Sequence, residues 1–267
     1  MFNPGIEVSE TRDLSAFLVP MQAIPHRVET AIAKGIQRRN DLPFAKAGRL
    51  LEPEGDGIVD GVIRNNDGVL VVCCQTDMPG VTPDMWDWWF GWHSLSSERY
   101  RLWHPKDHVR SALSENRSYL SDARSRYVGN TSFIDERIGG TPKIHRLSVA
   151  FRRPDDFGLN EMKLGSLGTA VCGRGGDRSK FVESAYLIHF VRATASGSEM
   201  RSRFWLGHVR SKIPILGNVI SRKMNTASMR TKVITDEFGL SLLRHCSEEM
   251  NHLARILAAL YARFKND

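Results

Sequence analysis

SLLRHCSEEMNHLARILAALYARF, residues 241–264, is the stretch on which the fold turns. Set on a helix at about 100° per residue, Leu242, Cys246, Leu253, Ile256 and Leu260 fall on one apolar stripe. Glu249 lies near the centre of that stripe and His245 on its edge, while Glu248, Asn251 and Arg255 point elsewhere. An ionised carboxylate buried among leucines is costly unless a partner or a cation compensates it. Two readings are open. The pair lines a polar cavity, bonded to each other or to an arginine of a facing sheet, or it is the edge of a metal site completed by distant ligands. It is not the HExxH of a zinc protease, because Glu248 and His252 lie off the stripe.

Outward from this helix, predicted over about residues 234–264, the chain reads as strands. KIHRLSVAFRR, GTAVCGRG, SAYLIHFVRAT and MRSRFWLGHV carry β-branched and aromatic residues in partial alternation, separated by Gly, Pro, Asp or Ser. Nearer the N-terminus, HRVETAIAKGIQRRN reads as a helix. GIVDGVI and DGVLVVCC read as two strands joined at NNDG, whose Asn and Gly favour a hairpin turn. MPGVTPDM leads into a helix, DMWDWWFGWHSL, with Pro83 and Asp84 near its start. A soft boundary near residue 80 divides a small N-terminal region, 1–80, from a main domain, 81–267. Strands followed by one long terminal helix predict an α+β layer in which a curved antiparallel sheet wraps that helix.

The chain has 267 residues, 41% hydrophobic and 25% charged, enough for one large domain or a large and a small one. No run of about twenty apolar residues occurs and MFNPGIEVSE lacks the features of a signal peptide, so no membrane association and a cytoplasmic location are expected. The four cysteines show no CxxC spacing and are expected reduced and buried. A net charge of +7 is spread over scattered Lys and Arg without a continuous basic arm, which argues against nucleic acid. GRGGDRSK lacks the spacing of a phosphate-binding loop and reads as a glycine-rich turn. The basic stretch RSKIPILGNVISRKMNTASMRTK reads as a solvated loop or lid beside the cavity.

A metal needs ligands beyond the terminal helix, and MWDWWFGWHSLSSERYRLWHPKDH supplies His93, His104 and His108. TPDMWDWWFGWH, RYRLWHPKDH, FWLG and HCSEEM, in this order, resemble the 2,4-diacetylphloroglucinol hydrolases, zinc-dependent enzymes that cleave a carbon–carbon bond between an acyl group and an aromatic ring. The resemblance covers roughly residues 60 to 260. It implies a Zn site of two histidines and two glutamates, carried over as His108, Glu136 of FIDERIGG, His245 and Glu249. Such a ligand set also suits Mn, Fe or Co. Asp135 is the neighbour that a one-residue strand shift would turn inward in place of Glu136. His93 and His104, flanked by Trp92 and Trp103, read as residues that bond to backbone or to a ligand carboxylate.

Cleaving the bond also requires a proton at the ring carbon. His189 is a candidate donor. By alternation Leu187, His189 and Val191 share one strand face and Tyr186, Ile188, Phe190 and Arg192 the other, and a histidine held only for structure fits the pattern as well. The resemblance further makes Tyr100 of RYRLW the residue that binds a substrate hydroxyl. It places Phe204 where the family carries a second substrate-binding tyrosine, and Ser111 where it has a polar residue shortly after the first histidine ligand. The fold implied is a helix-grip, START-like domain, with the N-terminal region used for homodimer contacts. The function implied is metal-dependent hydrolysis of a small-molecule phenolic ketone. The rival from another class is a non-catalytic cavity protein that binds a hydrophobic polyketide or lipid.

Overall fold

The structure is a computed structural model and describes residues 5–178, 182–211, 213 and 216–266. Among the described residues the strands are β1 (Ile36–Arg38), β2 (Gly61–Arg64), β3 (Leu70–Pro79), β4 (His108–Leu113), β5 (Thr131–Glu136), β6 (His145–Arg152), β7 (Gly168–Asp177), β8 (Val182–Thr194) and β9 (Gly197–Ser211). They make one sheet in the order β1-β2-β3-β9-β8-β7-β6-β5-β4. Every pairing is antiparallel except the short edge contact of β1 with β2. The helices are α1 (His26–Lys34), α2 (Pro83–His93), α3 (Ser97–Trp103), α4 (Ala123–Tyr127), α5 (Glu161–Leu167), α6 (Gly217–Met224), α7 (Ala227–Val233) and α8 (Asp236–Phe264).

Helix α8 is the long terminal helix, and its start is fixed by chemistry legible in the chain. Thr235 caps it by accepting from the Phe238 N–H at 3.2 Å. Asp236 in the first turn pairs with the buried Arg64 of β2, whose guanidinium also donates to the Ile234 carbonyl at 2.7 Å and the Gly68 carbonyl at 3.0 Å. Gly239 lets the helix lie close on the sheet, since a Cβ there would stand 2.5 Å from Leu70 and 2.8 Å from Val62. The apolar stripe of Leu242, Cys246, Leu253, Ile256 and Leu260 is buried as expected, and Leu243 and Met250 are buried beside it.

That stripe faces one of two cores. The inner core joins α8, α2 and α1 to the inward face of the sheet, and includes Trp86, Trp89, Val72, Val191 and Met200. A second core covers the outward face, where Leu50, Phe157, Leu164 and Trp205 pack against Ile188 and Phe190. Tyr186, Ile188 and Phe190 therefore point outward and His189 inward, which resolves the ambiguity of strand β8. The NNDG hairpin joins β2 to β3, with Gly68 at φ +82°. Strand β3 then pairs with β9 from Leu70↔Leu206 to Pro79↔Gly197, so segments on both sides of the turn at residue 80 build one sheet.

Two expectations are corrected. GRGGD is not a turn: strand β7 runs through it to Asp177, and residues 179 and 180 of GRGGDRSK lie outside the described residues. A Cβ at Gly173 would stand 2.7 Å from Val149, and one at Gly176 would stand 2.0 Å from the Val182 carbonyl. These glycines serve close strand approach beside the register shift between Glu183 and Ala185. The basic stretch expected as a loop is largely helical over α6 and α7, closed by Asn225, which accepts from the Val209 N–H at 2.8 Å. No helix among the described residues is long and apolar enough to cross a membrane.

Candidate metal centre and cavity

Four of the residues singled out in the sequence meet where α8 passes the β4–β5 edge. His108 opens β4 and Glu136 closes β5 as its cross-strand partner. His245 and Glu249 are one turn apart on α8, and all four are at most 8% exposed. Glu136 sits in the place where Asp135 was the alternative. Asp135 instead pairs with Arg178.

The orientation of each imidazole is set from behind. His108 Nδ1 lies 3.0 Å from the Tyr100 carbonyl, and its ring stacks on the Tyr100 ring with centroids 3.8 Å apart. A carbonyl only accepts, so Nδ1 carries the proton and Nε2 presents a bare lone pair. His245 Nδ1 lies 3.4 Å from Asp107 Oδ2, which leaves its Nε2 facing the same space. Neither Nε2 has a hydrogen-bond partner among the described residues. Yet His108 Nε2 is 3.3 Å from Glu249 Oε2 and 3.8 Å from Glu136 Oε2, and His245 Nε2 is 3.9 Å from Glu249 Oε2. Lone pairs set against carboxylates, out of water, repel unless positive charge sits between them.

The proton affinities carry the same message. Burial and the neighbouring acids Glu136, Asp107 and Glu248 push Glu249 up to about 8, with His245 opposing. Burial disfavours the charged form of His245, but the Asp107 hydrogen bond and the Glu249 and Glu136 charges raise it to about 9. His108 is held well below its ordinary value by burial and by His245 and His104. Glu249 and His245 thus hold protons more tightly than usual, and the negative charge that causes this favours a cation beside them. Ligand atoms of His108, His245 and Glu249 all lie within 4.8 Å of one another, as a shared metal ion requires. Two imidazoles and two carboxylates are a donor set that fits a divalent transition metal.

A second ring of groups backs the first, and one of them, Asp107, escaped the sequence reading. Asp107 sits immediately before His108, and His104 stacks on His245 with centroids 5.0 Å apart. His104 Nδ1 accepts from the Asp107 N–H at 3.1 Å and its Nε2 reaches Glu248 at 3.4 Å and Asp107 at 3.7 Å, neither of them one of the expected ligands, whereas His93 bonds the Trp89 carbonyl at 2.7 Å. Nothing in the spacing of PKDH marks Asp107, because its partner lies on α8. His252, placed off the stripe, is fully buried as well.

Beside the cluster lies a cavity of about 250 Å³ between the inner sheet face and α8. Tyr100, His189, Phe204, Glu136, His245 and Glu249 all line it. Tyr100 donates its phenolic O–H to Glu136. Burial and the Glu136 charge hold that phenol well above its ordinary value, so it stays protonated. His189 is pushed down to about 3 by burial and is neutral at pH 7. Its Nδ1 is 2.8 Å from Ser202 Oγ, the residue opposite it on β9. Phe204 stands edge-on to His189 with centroids 5.6 Å apart and brings no polar atom. Ser111 is not among the lining residues. Its hydroxyl donates to the Ser94 carbonyl at 2.8 Å and its N–H to Ser97 Oγ at 3.1 Å, because the turn between α2 and α3 packs over it.

Comparison with known proteins gives this arrangement its relatives. The chain is 32% identical over 285 residues to phloretin hydrolase of Eubacterium ramulus, covering 100% of this chain and 97% of that protein. It is 26% identical over 264 residues to 2,4-diacetylphloroglucinol hydrolase of Pseudomonas protegens, covering 94% and 82%. Among solved structures, a Mycobacterium smegmatis protein aligns at a TM-score of 0.41 and 9% identity over 76% of this chain and 99% of that one. Residues 42–262 match the family model described as the DAPG hydrolase PhiG domain, and to that family this chain belongs.

Proposed function

We propose that this protein is a metal-dependent hydrolase that cleaves the bond between an acyl carbon and a ring carbon of acylphloroglucinol-type ketones. The observation that carries this reading is the pair of imidazole nitrogens without a hydrogen-bond partner, on His108 and His245, set against two buried carboxylates at one wall of a largely apolar cavity. The relatives named for phloretin and 2,4-diacetylphloroglucinol point to the same substrate class.

His108, Glu136, His245 and Glu249 would hold the metal, for which zinc is the first choice. When bound, such a metal supplies a Lewis acid for a ketone oxygen and lowers the pKa of water toward neutrality. The rest falls to the chain. Tyr100, held by Glu136, offers its phenolic oxygen to a ring hydroxyl and fixes the ring in the cavity. The apolar walls, Phe204 among them, keep bulk water from the reacting bond. His189, neutral and without a charged neighbour shifting it, takes the proton of a ring hydroxyl and returns it to the ring carbon as the bond breaks. The acyl carbon gains the hydroxyl of water, the ring carbon gains the proton that His189 carries, and the remaining proton of water restores the ring hydroxyl, so the products are a carboxylic acid and a phenol.

The experiment is metal analysis of the purified chain with a panel of mono- and diacylated phloroglucinols. Roughly one metal per chain and release of the deacylated phenol are expected. Glu249→Ala should lose both the metal and turnover. A metal-replete protein that leaves every ketone of the panel intact would falsify the reading, and a metal-free protein carrying an apolar ligand would favour a binding protein instead.

A further inference from the structure

Ser202 has a place in the site that neither the sequence motifs nor the metal cluster assign. It lies on β9 directly opposite His189 on β8, is 1% exposed, and its Oγ is 2.8 Å from His189 Nδ1. Antiparallel pairing aims both side chains at the same face, so the contact is built into the register. The Ser202–His189 pair therefore stands at the wall of the cavity that His189 lines.

A serine hydroxyl has one hydrogen and two lone pairs. When its oxygen accepts from Nδ1–H, Nε2 is left as the lone pair of a ring that lines the cavity. We propose that Ser202 is a positioning residue that fixes the ring of His189 and holds it in the Nδ1–H tautomer, so that Nε2 is free to take up a substrate proton. The inference rests on the role given to His189 above. Serine suits this better than a carboxylate would. It accepts from Nδ1–H in the neutral ring and equally in the imidazolium, but adds no charge that would keep the ring protonated between turnovers. The negative charge left on the substrate phenol is then what stabilises the imidazolium, and only while substrate is bound.

The test is nitrogen NMR of zinc-loaded protein labelled with ¹⁵N-histidine, with the His189 signals assigned by their loss in His189→Gln. The wild type is expected to show a protonated Nδ1 and a bare Nε2 at neutral pH. In Ser202→Ala the two resonances should move toward each other as the tautomers mix. On acylphloroglucinols kcat should fall about 10-fold or more, with KM changed less than about 2-fold, the scale seen when an outer partner of an active-site histidine is lost. Ser202→Thr, which keeps the hydroxyl, should restore the spectrum and kcat. A proton found on Nε2 in the wild type, averaged resonances there, or a Ser202→Ala protein with unchanged spectrum and kcat would each overturn the assignment. If neither variant folds, the wild-type spectrum alone decides. The spectrum is read without substrate, so failure to hydrolyse acylphloroglucinols would sink the functional reading and leave the tautomer assignment standing.

Discussion

Glu249 shows how far a single residue can be read. Its place in the middle of an apolar stripe was visible from helical periodicity, and the cost of burying it pointed to a cation or a partner. Asp107 shows the limit. It is 5% exposed and orients His245 across 138 residues of chain, a relation that no local spacing encodes. Asp107→Asn keeps the shape but weakens the hold on His245 Nδ1–H, so metal affinity should fall about 10- to 100-fold. Competition against a chromophoric chelator measures this, and unchanged affinity would show that His245 is oriented by something other than Asp107. Ser111 is the complementary case, a polar residue at a suggestive position that its own neighbours Ser94 and Ser97 occupy.

At the scale of elements, α8 is both the clearest feature of the sequence and the most constrained in space. Gly239 illustrates the second point. Helix propensity alone favours alanine there by about 1 kcal/mol. A Cβ would, however, press on Leu70 and Val62 at 2.5 and 2.8 Å, in a core with no room to give. Gly239→Ala should therefore lower stability by about 1–3 kcal/mol in urea unfolding. A stabilised variant would mean that α8 can lift from the β2–β3 hairpin without loss. Strands β8 and β9 were legible because aromatic and β-branched residues recur along them. Strands β4 and β5 were not recognised, since HVRSAL and TSFIDE show no clean alternation. Their short edge pairing is stabilised from outside, by the turn between α2 and α3 and by the site itself.

Over the whole molecule, the chain before α1 straps the site from the side. Ile6 bridges to Leu113 at the end of β4, and Glu10 pairs with Arg99 and Arg12 beside Tyr100. Burial opposes ionisation of Glu10, but the Arg99 and Arg12 bonds win and hold it from an ordinary 4.5 down to about 2. A carboxylate depressed in this way stabilises the fold above its unfolded pKa, and the contribution fades as pH falls through the interval down to about 2. Protection of residues 5–15 from hydrogen exchange, measured relative to the unfolded chain at the same pH, should accordingly fall across that interval. In Glu10→Ala that protection should already be low at neutral pH and change little with acid, and equal protection in the two proteins would rule out this tether. The sequence by itself determined the layer architecture, the terminal helix, the inward carboxylate and the residues that resemble a hydrolase family, because periodicity and motif are local properties of a chain. Only the tertiary structure decided which face of β8 meets the cavity, that Glu136 rather than Asp135 turns in, and that Asp107 and Ser202 stand behind the two histidines. Those facts are distances between segments far apart in sequence, and strand register and packing alone set them.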